Sequence, residues 1–83
     1  MHDRLETRLV DRTIGAYVDW REACRAVQDA DRLWARAAGP RARLAFWRYQ
    51  AALDAEERAA EAYARLVGRM VTSDSDLSGP LAA

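Results

Sequence analysis

Apolar residues recur at alternating spacings of three and four along two long stretches of the chain. The first series is Leu9, Thr13, Ala16, Trp20, Ala23, Val27, Ala30, Trp34 and Ala37; the second is Phe46, Tyr49, Leu53, Glu56, Ala60, Tyr63, Val67 and Met70. A seam of this period is the mark of an α-helix that lays one stripe against a neighbouring helix. Between the two series stands Ala37-Ala38-Gly39-Pro40-Arg41-Ala42. Glycine can take the left-handed conformation that ends a helix, and proline is pre-set for the first turn of the next. A single helix through this point would lose ~3 kcal/mol to the proline alone. The expectation is an all-α antiparallel hairpin over residues 3–72, with a helix over 3–38, a turn at 39–40, a helix over 41–72 and a disordered polar tail over 73–83. Asp3 with Glu6 forms a variant of the capping box at the start.

Folding the chain about Gly39-Pro40 pairs Trp34 with Phe46, Ala30 with Tyr49, Val27 with Leu53, Ala23 with Glu56, Trp20 with Ala60, Ala16 with Tyr63, Thr13 with Val67 and Leu9 with Met70. Large faces small in half of these layers, as interdigitating cores require. The register came from the turn, so this complementarity supports the hairpin independently.

Two helices enclose little between them, yet each has a second stripe beside its seam. Val10, Ile14, Tyr17 and Cys24 lie on the first helix, and Ala45, Ala52, Ala59 and Leu66 on the second. Left uncovered, such stripes mark a partner surface, and the common solution is a two-fold pairing of hairpins into a four-helix bundle. The expected assembly is a homodimer with these eight residues at its interface. Gly15 and Gly68 stand inside the helices at a cost of ~1 kcal/mol each, and close helix approach is one reason to keep them.

Composition narrows the classes. The 83 residues include 18 Ala, so the 51% hydrophobic content overstates the core, because a methyl group buries little surface. All 13 basic residues are Arg, which reads as the imprint of a high-GC bacterial genome, and 13 acidic residues balance them. Zero net charge argues against nucleic acid and acidic membrane surfaces as partners. No apolar run approaches the ~18 residues of a membrane span, and the first residues lack a signal-peptide core. The expected location is the cytoplasm.

Candidate chemistry is sparse. Glu56 breaks the seam rule about midway along the hairpin, opposite Ala23 and close to Cys24. A carboxylate there needs an arginine, a tyrosine hydroxyl, a proton or a cation. The leading expectation is a buried polar layer of Glu56, Cys24 and Tyr63 that fixes register, as polar core residues do in coiled coils. A rival reading makes Glu56, Tyr63, Trp20 and Cys24 a small-molecule or metal site. Against metal stands the absence of any Glu-x-x-His pair of the kind that carboxylate-bridged bundles use, since the one His is His2. Cys24 has no His on the helices to activate it, so no catalytic residue, metal site or cofactor is assigned.

At the turn, Trp34, Phe46, Trp47 and Tyr49 gather among Arg36, Arg41, Arg43 and Arg48. Trp47 lies off the seam. With Arg43 and Arg48 it forms a candidate anchor for a protein partner, because aromatic and Arg side chains dominate interface hot spots. In outline the chain resembles the secreted helical hairpins named for a Trp-x-Gly turn, which dimerise into four-helix bundles. Here the corresponding stretch, Trp34-Ala35-Arg36-Ala37-Ala38-Gly39, has a different spacing, and Tyr63 is followed at the fourth position by Val67 where that family has an acid. The final Leu81-Ala82-Ala83 resembles the end of the bacterial tag on stalled translation products, a resemblance that implies regulated turnover. The reading that follows is a small non-catalytic oligomerisation or interaction module, set against a ligand- or metal-binding bundle centred on Glu56.

Overall fold

The computed structural model describes the backbone of residues 2–82 and the side chains of residues 4–72. Two helices, α1 (His2–Arg36) and α2 (Pro40–Ala82), pack against each other as a hairpin. Why the first helix stops is visible in its last turn. The Ala37 N–H donates to the Trp34 carbonyl at 3.1 Å, the tightened bonding that commonly closes a helix. Gly39 then takes φ of 63°, a conformation that an L side chain adopts only at a cost. Its carbonyl accepts the Ala42 N–H at 3.0 Å, which opens α2 with Pro40 at its first position. The turn is thus the one expected, with α1 ending at Arg36.

α2 runs past Thr72, where the sequence reading placed a boundary. Where a disordered tail over 73–83 was expected, the backbone is helical through Ala82, and the side chains of 73–83, including the Leu81-Ala82-Ala83 end, lie outside the described residues.

The seam is the expected one. Leu9, Thr13, Ala16, Trp20, Ala23, Val27, Ala30 and Ala37 are half-buried along α1, and Phe46, Tyr49, Leu53, Glu56, Ala60, Tyr63, Val67 and Met70 along α2. Trp34 is a little more open, at 38% exposure. Its ring meets Phe46 edge-on at 5.2 Å and stacks on Tyr49 at 5.2 Å, with 26° between the planes. A second aromatic group joins Tyr17, Trp20 and Tyr63, with centroids 5.5 to 6.1 Å apart. These tilted and edge-on geometries are the favourable ones for aromatic pairs. Thr13 keeps its seam position by returning its hydroxyl to the Leu9 carbonyl at 2.6 Å.

What the hairpin lacks is an interior. Among the described residues, none is fully buried, apolar or polar. The molecule measures 64 × 26 × 13 Å, with a radius of gyration of 18.8 Å, against about 12 Å for a compact chain of this length. Its accessible surface is 6896 Å². A compact monomer of this mass would expose about 5,000 Å², so the excess is about 1,900 Å². Among the described residues, no helix is long and apolar enough to cross a membrane.

Candidate functional site

The polar layer at mid-hairpin is organised around one carboxylate oxygen. Trp20 donates its indole N–H to Glu56 Oε1 at 2.9 Å, and the Cys24 thiol donates to the same oxygen at 3.9 Å. Trp20 and Cys24 flank Ala23, the residue level with Glu56. A seam side chain sits among four residues of the facing helix, so Glu56 meets the residues on either side of its level partner. Tyr63 belongs to the layer through its ring, which lies 5.6 Å from that of Trp20. Glu56, Cys24, Tyr63 and Trp20 are all partly buried in the hairpin, and none is fully so. The sequence reading sought an arginine, a tyrosine hydroxyl, a proton or a cation for Glu56. The partner is instead an indole N–H, a donor with no acceptor capacity that itself needs satisfying. Among the described residues, no three His, Cys, Asp or Glu side chains converge as metal ligands would.

The eight expected interface residues fall on two faces. Val10, Tyr17 and Cys24 repeat at seven along α1, and Ile14 lies beside them. Val10 is 40% exposed, Ile14 56% and Tyr17 45%. Ala45, Ala52, Ala59 and Leu66 repeat at seven along α2 and are half-buried. Ala45 shares a groove with Leu33 of α1. At ~3.5 residues per turn, Leu33 lies about 150° round α1 from Val10, Ile14 and Tyr17. The α1 stripe and the α2 stripe therefore occupy opposite sides of the hairpin.

The groove is the feature that the sequence reading missed. It lies at the turn end, has a volume of about 640 Å³, and is lined by Ala30, Leu33, Ala37, Ala38, Leu44 and Ala45, with Arg36, Arg41 and Arg48 around them. Leu33 is 57% exposed and Leu44 54%. The signal was present, because these two leucines lie off the seam and within two turns of Gly39-Pro40. The expected partner-binding trio divides. Arg48 lines the groove, whereas Trp47, 62% exposed, packs edge-on against Phe46 at 5.9 Å, and Arg43 is exposed. The ion pair recorded among the described residues joins Arg32 to Asp29 at 3.7 Å, between side chains that are each about 70% exposed. The groove arginines take no part in it.

No protein-family model, no curated protein and no solved structure matches the chain.

Proposed function

We propose that the protein is a small non-catalytic oligomerisation and interaction module of the cytoplasm, whose hairpins pair into a four-helix bundle. The observation that carries this reading is the missing interior. Along two long helices no described residue is fully buried, and every seam side chain keeps some contact with water. Association would bury the half-open seam, much as obligate dimers share a core. The turn end, with Trp47, Arg43 and Arg48, is the surface offered to a further protein partner.

Sedimentation equilibrium at micromolar concentrations, run beside far-ultraviolet circular dichroism, tests this. The expected result is a dimer of the 9.3 kDa chain that loses helicity as it dissociates. A fully helical, two-state-melting monomer would overturn it.

A further inference from the structure

The balanced charge of the chain conceals a separation along the hairpin axis. Residues 32–53 hold Arg32, Arg36, Arg41, Arg43 and Arg48 and no acid, a block of +5. The stretches that follow along the axis are acidic. Residues 19–31 carry Asp19, Glu22, Asp29 and Asp31 against Arg21 and Arg25, and residues 54–61 carry Asp54, Glu56, Glu57 and Glu61 against Arg58. Together they amount to −5, and the remainder of the chain is neutral. On the groove face the acids are those of α1. Asp19, Ala26 and Leu33 repeat at seven on α1, and so do Glu22, Asp29 and Arg36. The same side of α1 thus passes from acid at mid-hairpin to the leucine and arginine of the groove. Across from it, Ala52, Ala59 and Leu66 continue along α2 the seven-residue stripe of Ala45.

We infer that the groove is filled by a second copy of this chain, laid antiparallel on the same face, so that the Arg-rich turn of each copy covers the acidic middle of the other. The inference rests on the self-association proposed above and adds the face, the direction and the stagger. A parallel pairing would set Arg36, Arg41 and Arg48 of one copy over those of the other. An antiparallel one with its two-fold axis at the level of Ala52 brings the groove-face arginines Arg36, Arg41 and Arg48 toward the partner's half of the face that carries Asp19 and Glu22, while Asp54, Glu57 and Glu61 lie on the other side of α2 with Trp47. Trp20 and Cys24 on either side of Ala23 fix the hairpin register at Glu56, and one turn further along Ala52 is level with Val27. The same axis places Ala45 opposite the partner's Ala59, Ala52 opposite its own copy and Leu66 against the partner's turn. It also lays Arg36 over the partner's Asp19 and Glu22. The small residues let the two faces approach closely. The overlap runs from one turn to the other, about 26 residues or ~39 Å, over a width of two helices of ~10 Å each. That is roughly 800 Å² per copy, the size of a standard interface.

A charge exchange tests the arrangement. One full-length variant carries Arg36→Glu, Arg41→Glu and Arg48→Glu; another carries Asp19→Arg, Glu22→Arg and Asp29→Arg. Each alone is expected to dimerise at least tenfold more weakly than the natural chain, and an equimolar mixture is expected to recover association to within about threefold. Natural dimers should also weaken as sodium chloride is raised. Circular dichroism establishes that each variant keeps its helicity. Spin labels at Pro40→Cys in a Cys24→Ala background give an independent reading, because antiparallel turns stand about 36 Å apart along the axis and parallel turns lie side by side. Variants that dimerise as the natural chain does, a mixture that does not recover, or labels within about 20 Å would each overturn the inference. A natural chain that is monomeric throughout would instead remove the self-association on which it rests.

Discussion

The hydrogen bond from Trp20 to Glu56 lends itself to a double-mutant cycle, because the effect of replacing Glu56 is expected to depend on whether the Trp20 indole is present. At 2.9 Å it joins a neutral donor to a carboxylate across the hairpin. Bonds to charged groups contribute about 1.5–3 kcal/mol net. Both side chains are only partly buried, so water competes and the bond falls at the bottom of that range or below it, about 1–1.5 kcal/mol. Trp20→Phe removes the donor and keeps a ring against Tyr17 and Tyr63. Glu56→Met removes the acceptor and adds apolar surface at a seam position. In the natural chain the two effects of Glu56→Met oppose each other, and the expected change is within about 0.5 kcal/mol of zero. In the Trp20→Phe chain the carboxylate has lost its principal donor, so Glu56→Met should stabilise by about 1 kcal/mol. Urea unfolding followed at 222 nm, with all four chains at one protomer concentration, measures the cycle. Additivity within ~0.3 kcal/mol would show that the contact contributes nothing and that the mid-hairpin polar layer does not set register.

Glycine to alanine should act in opposite directions at two positions that are equally uncrowded. An added Cβ meets nothing within 4 Å at either Gly39 or Gly68, so backbone conformation alone decides. Gly39→Ala is expected to cost about 1–2 kcal/mol because of its φ of 63°, whereas Gly68→Ala inside α2 should stabilise by about 1 kcal/mol; thermal melts of both check the pair. Trp34→Ala removes the rings' contacts with Phe46 and Tyr49 at the turn. With Trp34 38% exposed, a loss of about 2 kcal/mol is expected, below the range for fully buried aromatics, and chemical denaturation reads it. Val10→Ser with Ile14→Ser alters the apolar stripe on the side away from the groove. Sedimentation should show the dimer constant changed by less than about threefold; a larger loss would move the dimer interface to that side.

The elements that were legible in the sequence are those set by period and by backbone chemistry. The seam needed only the alternation of three and four, and the turn needed only Gly39 and Pro40, whose conformational preferences hold in any context. Side-chain partners are a different matter. Pairing residues by level along the axis put Glu56 against Ala23 and left Trp20 facing Ala60. An interlocked seam instead offers each side chain four neighbours, and the longest donor within reach, the Trp20 indole, takes the carboxylate. Leu33 and Leu44 were missed for a related reason. Neither belongs to a stripe that repeats along its own helix, and they become one surface only when the turn brings the two helix ends together. The same folding gives the charges their meaning. Listed along the chain, 13 Arg and 13 acids cancel. Folded at Gly39, the arginines from both sides of the turn coincide, and the acids from both helices coincide beside them. A neutral chain thereby becomes a rod with one basic and one acidic segment. The antiparallel pairing proposed above draws on that separation along the axis.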